Sequence, residues 1–226
     1  MAVNIDTVYQ KVLAFANKEQ RGYITPQEFN LFADQAQKEI FEQYFYDLSQ
    51  FTKAAGNSSE YSDITGIINE KIAIFETTGF FMSHINTLPG DLYRLGTLYI
   101  NDREIEEVQQ DELIRMNNSA LLKPRQGHRV FVRTGASDII IYPQGTGGQR
   151  RITYTRLPIT PKWGYFVVGV KALYDNDASK NFELHAAEES QLVYKILKYA
   201  GLAMQRPDIA KGGQGLESLQ IQQEKQ

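Results

Sequence analysis

The chain has 226 residues, 42% of them apolar and 23% charged, with a net charge of −3 and no cysteine. That length buries a real core as one large domain or two small ones, and the composition excludes a disordered or fibrous chain. Without thiols, disulfide scaffolds, zinc ribbons, thiol catalysis and iron–sulfur clusters are excluded, and intracellular assembly is expected.

The first third reads as helical. Asp6 is the expected N-cap of a segment carrying Val8, Val12 and Phe15 on one face, with Gly22 just past its end. In Ile24-Thr-Pro-Gln-Glu-Phe29, Thr25 is placed as N-cap and Pro26 at the first helical position. Glu28 then sits at the reciprocal box position, and Ile24 faces Phe29 as a hydrophobic staple. The helix that follows keeps Phe29, Phe32, Ala36, Ile40, Tyr44, Leu48 and Phe51 on one stripe, uninterrupted before Gly56. After a polar turn, Ile64, Ile67, Ile68, Ile72 and Phe75 mark a further helix over residues 61–76. So dense an apolar stripe is read as core or subunit interface rather than as a ligand pocket.

Beyond Gly79 the pattern becomes that of strands. Residues 92–100 and 103–108 flank the turn pair Asn101-Asp102 and predict a hairpin. Asp111 is expected to cap one short helical turn. Residues 128–133, 138–142 and 149–157 predict three more short strands, with Gly145-Thr-Gly-Gly148 as a hairpin turn. Without a βαβ rhythm, an antiparallel sheet is the economical solution.

Helix returns with Glu188 and Glu189 in a first turn, where acids favour the positive helix end, and a buried stripe of Leu192, Val193, Ile196, Leu197 and Ala200. Pro207 is expected to end it. Lys211-Gly-Gly-Gln-Gly215 then reads as a flexible joint before a short amphipathic tail, either frayed in solution or ordered by a partner.

The expected fold class is therefore α+β: an antiparallel helical bundle of N- and C-terminal helices with an inserted small antiparallel β-sheet region. Residues 1–79 and 183–210 form the two parts of the helical body, residues 80–182 the β insertion, and residues 211–226 the joint and tail. Residues 1–12 lack a basic region followed by an apolar run, and no apolar stretch approaches a membrane span, so neither secretion nor membrane insertion is expected.

Charge is segregated along the chain. Residues 121–162 carry eight basic side chains against Asp138 alone, about +7, which leaves about −10 for the remainder. Arg129, Arg133, Arg150, Arg151 and Arg156 belong to this segment. It suits a polyanion such as DNA, an acidic face of a neighbouring copy, or solvated strand faces.

Chemistry is harder to find. Asn17, Glu19, Arg21, Gly22, Ile24 and Glu28 follow the spacing of an EF-hand calcium loop, but Arg21 puts a cation where the ion would sit, so Glu28 is read as a capping carboxylate. His84, His128 and His185 lie in separate segments, and only His185 has an acid, Glu188, at helical spacing. The adjacent pairs Glu106-Glu107 and Glu188-Glu189 diverge on a strand or helix. No phosphate loop, nucleophile elbow, zinc helix or dinucleotide fingerprint occurs. No catalytic, cofactor-binding or metal residue is assigned, and no cofactor is expected.

Three runs carry a resemblance: Leu88-Pro-Gly-Asp-Leu-Tyr-Arg-Leu-Gly-Thr-Leu-Tyr-Ile-Asn101, Asn117-Asn-Ser-Ala-Leu-Leu-Lys-Pro124, and Phe182-Glu-Leu-His-Ala-Ala-Glu-Glu-Ser-Gln-Leu-Val-Tyr-Lys-Ile-Leu-Lys-Tyr-Ala-Gly201. They resemble virion structural proteins of tailed phages, notably ring or adaptor proteins of marine and crAss-like podophages and the tail tubular A class. The resemblance implies a head-to-tail connector, assembled in the host cytoplasm as a closed homo-oligomeric ring, usually a dodecamer. Such a ring is clamped to the portal and neighbouring tail proteins and passes genomic DNA through its lumen without reading sequence. It implies no active site. Adaptors of this kind reach the portal through a C-terminal extension, which makes Lys211, Gly212, Gly213, Leu216, Leu219 and Ile221 the partner-contact candidates. As a loose extension, that tail should be removable with thermal unfolding nearly unchanged.

Overall fold

Asn4 opens the first helix, because its side-chain oxygen accepts the backbone N–H groups of Asp6 at 2.9 Å and Thr7 at 3.0 Å, two of the donors every helix start leaves unpaired. Asn4, rather than Asp6, is therefore the cap of α1 (Ile5–Asn17). Val8 and Val12 point inward as the stripe predicts, but the next inward position is Ala16 and Phe15 is exposed. The computed structural model describes residues 2–17, 24–54, 59–81, 87–135, 137–145, 148–203 and 207–224.

The start of α2 (Pro26–Ala54) follows the capping box closely. The Thr25 backbone N–H and hydroxyl donate to Glu28 Oε2 at 2.9 and 2.8 Å, and the Glu28 N–H donates back to Thr25 Oγ1 at 3.3 Å. These bonds hold the Glu28 carboxyl below its ordinary range, the backbone N–H of Thr25 contributing most and its hydroxyl next. Phe29, Ala36, Ile40 and Tyr44 are buried along the predicted stripe. α3 (Ser59–Ala73) stops short of the expected end at Glu76, and Ile67 faces outward while Ile68 and Ile72 face inward.

Two compact units share the chain: Met1–Ile74 with Pro158–Gln226, and Phe75–Leu157. The second unit begins where the expected third helix was to end. There β1 (Glu76–Phe81) pairs antiparallel with β6 (Arg150–Arg156) in the register Gly79↔Ile152. β2 (Leu92–Ile100) and β3 (Arg103–Glu107) form the predicted hairpin. Its turn residues Asn101 and Asp102 both take positive φ, 50° and 59°, the left-handed geometry that matches strand twist and that Asn and Asp tolerate. α4 (Gln110–Asn117) is a helix of eight residues, capped by Gln109 without a side-chain bond. Asp111 lies in its first turn and pairs with Arg115 at 2.8 Å. β4 (Val130–Thr134) and β5 (Asp138–Tyr142) complete a six-stranded sheet in the order β1-β6-β2-β3-β4-β5.

This overturns the expected fold class. The molecule is mixed α/β: among the described residues it has six α-helices, a six-stranded mixed sheet and a two-stranded sheet, instead of a helical bundle with a small antiparallel insertion. β3 and β4 run parallel, Glu106 opposite Val130 and Glu107 opposite Phe131, and α4 lies on the crossover between them. Parallel neighbours cannot be joined by a tight turn, so the long connection through residues 108–129 is what makes that pairing possible, and a βαβ step is present after all. The hairpin expected about Gly145–Gly148, of which Thr146 and Gly147 lie outside the described residues, is not formed, because β5 and β6 do not pair. β5 pairs with β4 at one side of the sheet and β6 pairs with β1 and β2 at the other, so the segment joins strands that are not neighbours.

Leu98, Ile100, Ile105, Phe131, Ile139, Ile141 and Ile152 form one buried cluster of this unit, and Val108, Leu113, Met116, Val130 and Val132 form another with α4. Phe131 and Val130 lead to different clusters because successive strand residues face opposite ways.

In the first unit a 3₁₀ turn (Ala186–Glu188) leads into α5 (Glu189–Ala203), whose predicted stripe Leu192, Val193, Ile196, Leu197 and Ala200 is buried throughout. α1, α2 and α6 (Pro207–Glu224) all pack on α5. Two short strands that the sequence pattern did not bring out, β7 (Tyr165–Val168) and β8 (Lys171–Tyr174), pair antiparallel as a hairpin.

Candidate functional site

The C-terminal segment, the first candidate contact surface, is a helix and not a flexible joint. Pro207 starts α6 rather than only ending what precedes it, in keeping with proline's fitness for the first helical position. Gly213 is buried because the backbone of α6 runs close to α5. A Cβ there would lie 2.9 Å from both the Lys198 nitrogen and the Tyr194 carbonyl oxygen.

One turn further on, Glu217 is 7% exposed and meets Lys195 Nζ at 2.5 Å and Lys198 Nζ at 3.3 Å. Lys195, only 2% exposed, also pairs with Glu39 of α2 at 3.0 Å, and the Tyr199 hydroxyl donates to Glu39. Charges alternate along Glu39, Lys195, Glu217 and Lys198, so each buried charge has opposite neighbours. Burial pushes the Glu39 carboxyl up, but bonds from Tyr199 and Lys195 and the charges of Lys195 and Lys198 outweigh it and leave it below its ordinary value. The Tyr199 hydroxyl is pushed well above its ordinary value by burial and by Glu39.

Six contact candidates therefore divide. Lys211, Gly212, Leu216 and Leu219 are exposed, Ile221 is half-buried, and Gly213 is taken up by α5. The spacing Gly213, Glu217, Ile221 was the available sequence signal for a packed helix face; three glycines within residues 212–215 masked it, because glycine is a poor helix former.

The basic candidates all belong to the sheet unit but do not gather on one strand or one face. Arg129 and Arg133 are at β4 and Arg150, Arg151 and Arg156 on β6, with β2 and β3 between them, a separation of roughly 14 Å at ordinary strand spacing. Arg150 is buried, which lowers its guanidinium from the ordinary value. Arg151, on the opposite face, lies 4.9 Å above the Tyr99 ring and 3.3 Å from Asp102. Arg156 donates to the Leu157 carbonyl, Arg133 is exposed and Arg129 is half-buried. Sequence proximity suggested a patch; strand order separates it.

A third surface was not anticipated. At the base of the β7–β8 hairpin, Trp163 is buried against Tyr9, with ring centroids 4.2 Å apart, and against Tyr165 and Tyr174, each at 5.8 Å. The indole N–H donates to Asp6 at 2.9 Å, and the Asp175 N–H donates to the Gly164 carbonyl at 2.9 Å. Beyond this anchored base, Phe166, Val167, Val168, Val170 and Leu173 are all exposed, Val170 by 97%. The two-residue turn Gly169-Val170, with Gly169 at φ +65°, closes the hairpin as a type II′ turn. Tyr-Phe-Val-Val-Gly-Val-Lys-Ala-Leu-Tyr over residues 165–174 does carry the signal, β-rich runs about a glycine turn, but its alternation is too weak to show a buried face.

Of the remaining candidates, His185 and Glu188 have partners within the fold. His185 caps the 3₁₀ turn, its Nδ1 accepting the Ala187 N–H at 3.2 Å, while Glu188 is buried and pairs with Lys71 at 2.5 Å. His128 is exposed and its backbone pairs with that of Arg125. His84, and Glu19, Arg21 and Gly22 of the calcium-like spacing, lie outside the described residues. Among the described residues, no three His, Asp or Glu side chains come together as a metal-binding group, and no helix is long and apolar enough to cross a membrane. No protein-family model matches this chain, and no curated protein matches it.

Proposed function

We propose that the protein is a virion structural subunit of a tailed phage, one copy of an oligomeric ring at the portal–tail junction through whose lumen DNA passes, rather than an enzyme. The observation that carries the reading is the hairpin of residues 165–174, held at its base by Trp163 and bare at its apolar tip. Water-exposed valine and phenylalanine on a two-stranded hairpin are unfavourable for an isolated chain and are relieved when another surface covers them. Support also comes from the three runs that resemble phage adaptors, which cover β2, the stretch that follows α4 from its last residue Asn117, and most of α5.

Light scattering over a wide concentration range tests it. The purified protein, alone or mixed with its portal, should reach a defined multiple of the monomer mass. A monomer at every concentration in both samples would remove the ring.

A further inference from the structure

A shallow cavity of about 210 Å³ lies in the helical unit, lined by Tyr44 and Phe51 of α2, Ile64, Ile67 and Ile68 of α3, and Ile221 of α6. It is smaller than the roughly 300 Å³ at which pockets for whole small molecules begin. It exceeds the roughly 150 Å³ that takes a benzene ring. The space therefore suits one or two aliphatic side chains. None of its lining residues comes from the hairpin of the same chain.

Of the charged lining residues, Glu188 is buried and paired with Lys71, so the two cancel and Asp47 leaves the groove with one net negative charge. Between Tyr165 and Tyr174 the single charged side chain is Lys171, directly after the Gly169-Val170 turn. Tip and groove are thus complementary in charge as well as apolar in kind, and complementarity of this sort selects the partner and the register.

We infer that Val168 and Val170 at the hairpin tip seat in the α2–α3–α6 groove of a second copy of this chain, with Lys171 beside Asp47 of that copy. Each copy then donates one arm and receives another. Two different patches on one chain make a head-to-tail contact, which closes into a ring when the rotation between copies divides a full turn. This contact deepens the ring reading above and rests on it. It also gives Ile221, singled out in the sequence as a partner contact, a place in that contact.

The absence of cysteine makes the test direct. Val170→Cys and Ile67→Cys, both at exposed positions, are purified separately, mixed and mildly oxidised. The mixed pair should give a covalent dimer about tenfold faster than either variant alone. Val170→Asp should raise the concentration at half-assembly by about tenfold or more, with circular-dichroism melting unchanged, since it removes the burial of one valine. Assembly of the wild type with no preference for the mixed pair, or a Val170→Asp protein that assembles normally, would overturn the contact and leave the ring standing. Preferential trapping of Val170→Cys by portal would overturn it in favour of a different occupant. A wild type that never associates would overturn contact and ring together.

Discussion

Gly212, Gly213 and Gly215 share one helix but not one environment. A methyl group at Gly212 or Gly215 would meet nothing within 4 Å, whereas one at Gly213 would press on the backbone of α5. Gly212→Ala and Gly215→Ala should each stabilise the protein by about 0.5–1 kcal/mol, because alanine loses less backbone entropy in a helix than glycine. Gly213→Ala should destabilise it by about 1–3 kcal/mol through overpacking. Urea denaturation midpoints distinguish these signs, and three gains would mean that α6 stands off α5. The sequence shows the glycines but not which of them faces another helix. The same limit applies to Phe15: its neighbour Ala16 was the inward residue, and one position along a helix is a rotation of about 100°.

Among the elements, those with a strong period and chemically marked ends were legible. α2 has a capping box readable from Thr25, Pro26 and Glu28, and α5 buries every residue of its predicted stripe. α6 was not legible, because its stability is tertiary: the close approach at Gly213 and the ion cluster at Glu217 offset the poor helix propensity of three glycines. The expectation that the tail can be removed without thermal consequence is therefore replaced by its opposite. Deleting residues 211–226 removes the charged hydrogen bond from Lys195 to Glu217 and the packing of Gly213 on α5, while Lys195 keeps Glu39, a loss of about 3 kcal/mol. For a chain of this size 3 kcal/mol corresponds to a fall in melting temperature of roughly 6–12 °C. Scanning calorimetry of the truncated protein reads this directly, and an unshifted midpoint would return the segment to the status of a loose appendage.

At the scale of the molecule, Phe75–Leu157 is contiguous in sequence, holds all six strands of the larger sheet and has its own buried clusters. The Arg156 N–H donates to the Phe75 carbonyl at 2.9 Å, so the two ends of the unit meet, as the ends of an inserted unit must. Expressed alone, residues 75–157 should fold and give a dispersed amide NMR spectrum. A collapsed spectrum would mean that its core depends on the rest of the chain. By itself the sequence determined the long N-terminal helices, the α5 stripe, the Asn101-Asp102 hairpin and most strand positions, since helix periodicity, caps and turn residues act over a few residues. Tertiary structure alone decided the parallel β3–β4 pairing, the separation of the arginines across the sheet, the helical state of α6 and the exposure of the 165–174 hairpin. Each of these depends on which distant segment comes to lie alongside, and local pattern carries no record of that choice.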